Sequence, residues 1–261
     1  MYCAQAIDEL EKFVALPLDI AAADITAALL VIGDEILSGR TKDRNIGQLA
    51  DHLTAIGIRL REVRVVADDE TDIVAAVNAL RARYTYLFTT GGIGPTHDDI
   101  TADSIGKAFG VAVDVDPRAH ALMAAHCEQR GVPLTPARLR MARLPKGSEL
   151  VDNAISIAPG FMIENVIVMA GIPDIMRVML DAVTPRLKTG AKMLSQTIAL
   201  DRPESQIAEL FADHQRLYPD IAMGSYPSLR DGKPVTDLVL RAPDGARLDA
   251  ATAQLKQKLG L

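Results

Sequence analysis

The sequence contains no tryptophan, and aromatic residues make up only 4% of its 261 positions. Platforms that stack unpaired bases need several rings, so single-stranded nucleic acid is poorly provided for. Cations are also in deficit: 28 Lys and Arg face 34 Asp and Glu, for a net charge of −6. No run of Lys or Arg supplies a basic stripe, and an acidic chain repels a phosphate backbone, so no nucleic-acid partner is expected. The two cysteines, Cys3 and Cys127, lie far apart without paired spacing. That excludes a disulfide framework and a zinc knuckle and fits a reducing cytoplasm. Long apolar runs are scarce. The stretch from Ala21 to Ile32 is broken by Asp24 and Thr26 and falls short of the ~20 residues that span a bilayer, so no membrane partner is expected. The start, MYCAQAIDELEKF, carries acids early and shows no basic-then-apolar leader pattern.

What is present is a folding composition. Hydrophobic residues reach 49% and charged residues 24%, enough aliphatic surface to offset the ordering entropy of the chain. Residues 1–23 read as a short helix and a linker at Pro17, an extension outside the core. From Thr26 the signals alternate. TAALLVIG (26–33) is a continuous apolar run ending in Gly, as in a strand buried on both faces. A helix follows Asn45, with Ile46, Leu49, Leu53 and Ile56 on one face and Gly57 as its stop. Residues 58–66 alternate as a strand, Asp68-Asp69-Glu70 opens a helix, and 84–90 form a third strand. A helix over about 100–109 comes next, then helical signals across 117–144 with a break at 131–133. Residues 145–165 read as turns, 166–170 as a buried strand, and 172–187 as a helix begun by Pro173.

This order predicts an α/β fold: a doubly wound, mostly parallel sheet with helices on both faces. Gly190 marks a boundary between a domain at 24–190 and a small α+β unit at 191–261. The latter reads β-α-β-β-α, about 70 residues, just enough for its own small core.

Open parallel sheets bind ligands at the carboxyl ends of their strands. The first strand ends in Gly33-Asp34-Glu35, the second before Asp68-Asp69, and the third in GGIGPTHDD (91–99). Glycines in the last loop let the backbone come close to a ligand, and the loop feeds a helix N-terminus that suits a phosphate. It is neither a Walker loop nor a dinucleotide fingerprint, lacking GK[ST] and GxGxxG respectively. Asp98 and Asp99 would repel a phosphate unless a cation stood between them. With Asp34 from the neighbouring strand they could hold a Mg²⁺-type ion that neutralises phosphate charge and activates water. Taken singly, Asp98 or Asp99 suits a helix cap equally well, Asn45 suits an N-cap, and Asp68-Asp69-Glu70 a solvated turn. His97 could act as a base, a ligand or neither. No Ser-His-Asp set or GxSxG elbow supports acyl transfer.

Gly33-Asp34-Glu35, Leu37, Gly39, Asp43 and Asn45, followed by GGIGPTHDDIT at 91–101, resemble the molybdopterin-binding domain of molybdenum-cofactor biosynthesis proteins. The loop is most similar to the branch holding competence/damage-inducible protein A and the amino-terminal domain of FAD synthase. Asn153, Ala158-Pro159-Gly160-Phe161 and GSYP at 224–227 extend the likeness over about 26–261. The resemblance implies that Gly33, Asp34, Asn45, Gly91, Gly92, Gly94, Pro95, Thr96 and Asp98 line a pocket for a phosphorylated pterin or nucleotide, with Asp99 close by. It implies metal-dependent cleavage (Mg²⁺, Co²⁺ or Mn²⁺) of nucleotide pyrophosphates such as ADP-ribose or FAD, with Asp34, Asp98 and Asp99 as catalytic and metal-holding acids. The alternatives are a molybdopterin carrier or sensor without chemistry, and an interaction protein with a vestigial pocket. The family's Pro-Gly-x-Pro-x-Glu stretch reads Ala170-Gly171-Ile172-Pro173-Asp174-Ile175 here, its acid one place early. A cytoplasmic homo-oligomer, dimer or trimer, is expected.

Overall fold

The computed structural model describes residues 25–261. The helix and linker expected within 1–23 lie outside the described residues. The chain runs β1 (Thr26–Ile32), the single turn α1 (Asp34–Leu37), α2 (Asn45–Ala55), β2 (Arg59–Val66), α3 (Glu70–Arg83), β3 (Tyr86–Thr90) and α4 (Thr101–Phe109). It continues through β4 (Val113–Val115), α5 (Pro117–Gln129), α6 (Pro136–Arg140), β5 (Arg143–Pro145), β6 (Glu149–Val151), β7 (Gly160–Ile163), β8 (Val166–Met169) and α7 (Pro173–Val183). Last come β9 (Leu194–Leu200), α8 (Ala208–Leu217), β10 (Ala222–Arg230), β11 (Lys233–Ala242) and α9 (Gly245–Leu259).

The main sheet has the order β2-β1-β3-β8-β7-β6. Its first four strands are parallel, and β7 and β6 add an antiparallel edge. Side chains alternate across β1. Ala28, Leu30 and Ile32 join a core with α3, α4 and α5, whereas Ala27, Leu29 and Val31 join a second core with α2 and α7. That double burial is why β1 reads as an uninterrupted apolar run. A third core, built only from residues 198–259, lies between α8, α9 and an antiparallel sheet of order β10-β11-β9.

The structure corrects several expectations. The helical signal over 117–144 stops at Gln129, resumes for five residues in α6, and gives way to β5, which pairs with β4 as a two-stranded ribbon. Pro133 lies inside that interruption, at the break expected over 131–133, and Pro136 opens α6 at its first position, where a proline is tolerated; the strand β5 is what the helical reading lacked. The turn-rich stretch 145–165 holds β6 and β7, three and four residues long. Strands that short carry no measurable period of two, so β7 is settled by its pairing with β8, and β6 by its pairing with β7, rather than by their own composition.

Candidate active-site rim at the carboxyl edge of the sheet

Four strand ends are stitched together where β2, β1, β3 and β8 stop. The Gly33 amide donates to the Val66 carbonyl at 3.1 Å, and the Asp34 amide to Asp68 Oδ2 at 3.0 Å. The Gly91 amide donates to the Met169 carbonyl at 3.2 Å. Gly91 and Gly92 then turn with φ of +103° and +65°. A Cβ at Gly91 would lie 2.1 Å from the Ile32 carbonyl oxygen, and one at Gly92 2.1 Å from Thr101 Oγ1, so neither position tolerates a side chain. Thr101, buried at the start of α4, closes the turn: its hydroxyl donates to the Gly91 carbonyl and its amide to the Gly92 carbonyl, both at 3.0 Å. Among the described residues nothing accepts from the Gly92 and Ile93 amides. The loop thus leaves two N–H groups without a protein acceptor beside the strand ends.

Asp99 is committed to the loop itself. Its Oδ1 accepts from the Gly94 amide at 2.7 Å, and its Oδ2 accepts from the Thr96 amide at 2.8 Å and from the Thr96 hydroxyl. Both oxygens therefore brace the Gly94-Pro95-Thr96 turn. The helix-cap reading of Asp98 and Asp99 is overturned: Ile100 caps α4 and no side chain bonds its first turn. Asp98 points outward, with 62% of its side chain exposed and His97 Nδ1 3.9 Å away. Its carboxyl is held below the usual carboxylate range, chiefly by the Thr96 side chain and then by its own amide.

Asp68 joins the site, although its sequence reads as a solvated turn. Asp69 alone caps α3, accepting from the Thr71 and Asp72 amides at 2.8 and 3.0 Å. Asp68 instead holds the Asp34 amide, and burial pushes its carboxyl above the ordinary value. The charges of Asp34, Glu35 and Asp98 push it further in the same direction. Four acids therefore share one rim. They do not share one point: among the described residues no three of His, Cys, Asp and Glu converge as a metal cage requires. With Asp99 turned into its loop, the expected set of Asp34, Asp98 and Asp99 does not fit a dedicated divalent ion.

Asn45 sits inside α2, not at its cap. Asp43 Oδ1 takes the capping role, accepting from the Ile46 amide at 2.8 Å. Asn45 is 4% exposed, and its Nδ2 donates to the Gly171 carbonyl at 2.7 Å, tying α2 to the β8–α7 connection. Its Oδ1 has no partner among the described residues, nor do the buried hydroxyls of Thr89 and Thr90 at the end of β3. Asn153 fastens its own turn, donating to Ala158 O at 2.9 Å and accepting from the amides of Ile155 and Ser156.

Against the glycine loop lies a cavity of about 20 Å³, walled by Gly92, Gly94, Asp99, Asp103, Arg140 and Arg143. Arg143 grips Asp103 with both guanidinium nitrogens, at 2.7 and 2.9 Å. These arginines were missed in the sequence because they arrive from α6 and β5, some 45 residues beyond the loop, where no pattern marks them.

Comparison with known proteins decides the family. Residues 28–189 match the model of a probable molybdopterin-binding domain, which is more than half of the chain. The chain belongs to the molybdopterin-binding domain family. Residues 192–261 match the middle domain of FAD synthase. A protein of Pyrobaculum arsenaticum is 32% identical over 234 residues, covering 86% of this chain and 88% of that one. A CinA-like protein of Desulfosudis oleivorans is 35% identical over 209 residues, 76% of this chain but 51% of its own length. Among solved structures, the CinA protein of Thermoplasma acidophilum is 31% identical with a TM-score of 0.57, covering 62% of this chain and 96% of that one. These findings place the chain in the CinA-like branch of the family. Among the described residues no helix is long and apolar enough to cross a membrane.

Proposed function

We propose that the rim binds a phosphorylated pterin or nucleotide, with a phosphate against the Gly92 and Ile93 amides. The observation that carries this is the pair of amides left undonated where the backbone is forced into a left-handed turn against Ile32 and Thr101. Such N–H concavities favour anions. Gly94, Pro95 and Thr96 shape the loop under the brace of Asp99. Asp34 and Asp98 face the mouth and accept from donor groups of the ligand's ring or sugar. Asn45 supports the rim from below through Gly171. Titration calorimetry with AMP and with molybdopterin tests this, together with hydrogen exchange of the loop. One ligand per chain and slowed exchange over residues 91–101 are expected. No binding of either, or protection elsewhere, removes the reading.

The acidic rim favours a second reading, cleavage of a phosphoanhydride in a ligand such as ADP-ribose or FAD. It is supported by the raised Asp68 carboxyl beside three other acids. Release of a nucleoside monophosphate with Mg²⁺, Mn²⁺ or Co²⁺ present would uphold it. No turnover with any pairing leaves a carrier or sensor.

A further inference from the structure

Four strands form the edges of the two larger sheets, and three of them are guarded. β2 carries Arg59, Arg61, Glu62 and Arg64, β6 is three residues long, and β10 contains Pro227 and ends at Arg230. Charge, brevity and proline are ordinary defences of an edge against pairing with another chain. β9 has none of them: its seven residues, LSQTIAL, hold no charge, no proline and no glycine. Its main chain bonds β11 along one side, and among the described residues no other main-chain group bonds it.

α9 lies along this open edge. A Cβ at Gly245, where the helix starts, would lie 3.2 Å from Leu194 Cδ1. Gln196 donates to Asp249, and Arg202, just past β9, donates to the Leu259 carbonyl at 3.4 Å. Helix and strand therefore run side by side in one direction. Asp249, Ala253 and Lys256 are spaced i, i+4 and i+7, so they share the helical face that Gln196 marks as the β9 side, and all three are exposed. Neither Asp249 nor Lys256 has an ion-pair partner among the described residues.

We propose that β9 pairs antiparallel with β9 of a second copy of this chain, joining two small sheets into one of order β10-β11-β9-β9-β11-β10 across a twofold axis. An isologous contact lays the strand against itself, where like charges would repel, and β9 carries none. Leu194, 39% exposed at this edge, is then covered by the partner strand. Paired strands lie about 4.8 Å apart, so two copies of α9, each over the seam of β9 and β11, come within about 10 Å, the usual spacing of packed helices. Across the axis these helices run antiparallel. Asp249 of each copy then faces Lys256 of the other, with Ala253 small enough between them for close approach. The acid and the base stand about 10.5 Å apart along each helix, so one rotation makes both pairs at once. That self-complementarity selects a second copy of this chain over an unrelated strand.

Sedimentation velocity on the full chain, over a range of concentrations, tests this. The wild type is expected to be a dimer. Thr197→Lys, at the middle of the open edge, should yield a monomer, while Ser228→Lys on the edge strand β10 leaves the dimer intact. Lys256→Glu should weaken association about tenfold by turning two attractions into two repulsions, and adding Asp249→Lys should restore it. Thermal melts check folding; should Thr197→Lys fail to fold, the two helix-surface variants carry the test. A wild type that is monomeric throughout overturns the proposal. So does a dimer that folded Thr197→Lys leaves at full strength, or an Asp249→Lys/Lys256→Glu double variant that does not recover.

Discussion

Asp99 accepts from three donors of its own loop, whereas Asp98, one position earlier, stands mostly in solvent with its charge favoured by Thr96. The side chains are chemically identical, and only the direction of the backbone separates a brace from a solvent-facing group. Replacing Asp99 by Asn turns an acceptor into a donor opposite the Gly94 or Thr96 amide. Asp99→Asn should therefore cost about 1–3 kcal/mol in urea unfolding, the range for losing a charged acceptor of partly buried amides. Asp98→Asn should leave the unfolding midpoint where it is and act on ligand affinity alone. A shared loss of stability in the two variants would contradict the division of labour.

Among the secondary-structure elements, β3 decides most. All five of its residues are buried, it lies between β1 and β8, and it delivers the glycine loop directly from its last residue. Phe88, wholly buried, packs with Leu29, Val31 and Ile167 in the core under α2 and α7. Truncation there leaves a cavity that rigid neighbouring strands cannot fill. Phe88→Ala should cost about 3–5 kcal/mol by chemical denaturation. At the far end of the edge strand β10, Leu229 is 76% exposed, and Leu229→Ala should change stability by less than about 0.5 kcal/mol. Similar losses at the two positions would mean that β3 is not the keystone of the sheet. The connection from β3 to α4 also shows why the loop holds its form: Thr101 returns two hydrogen bonds to the residues that open it.

Among the described residues, the third hydrophobic core shares no residue with the other two, which meet at Ile93. Two involve residues before 190 and the third only residues 198–259, and we propose that the latter unfolds as a separate unit. His214 lies at its centre, fully buried, with Nε2 2.9 Å from the Ala251 carbonyl and its ring 4.9 Å from that of Tyr218. Burial, aided by the Lys258 charge, pushes this imidazole below its ordinary value; only the Ala251 carbonyl opposes. The folded state thus binds the proton less readily than the unfolded state. Its contribution is complete above the ordinary imidazole value of about 6.5 and is lost as the pH falls toward the depressed folded value. Hydrogen exchange, corrected for intrinsic rates, should show α8 and α9 loosening between pH 7 and 5 before α2 and α7 do. Equal loosening of all four helices would argue against both the separate core and the titration of His214.

Much of the architecture was legible because it follows from period and length. A seven-residue apolar run ending at Gly33 has to be buried on both faces, and the alternation of such runs with amphipathic helices leaves a parallel, doubly wound sheet as the ordinary solution. The glycine loop was legible for the same local reason, since only glycine accepts the left-handed turn at Gly91 and Gly92. Short strands were not, because β7 exists only through pairing with β8, and β6 only through pairing with β7. Nor were the partners of polar groups. Asn45 has the composition of a cap and the position of a cross-brace to Gly171, 126 residues away, and Asp68 looks solvated until Asp34 is laid against it. By itself the sequence determined which backbone could bend and which faces had to hide, because those are properties of neighbours along the chain. Tertiary structure alone decided that Asp99 turns into its own loop while Asp98 stands in solvent, and that Asp68 is laid against the Asp34 amide, because hydrogen-bond partners are found through space.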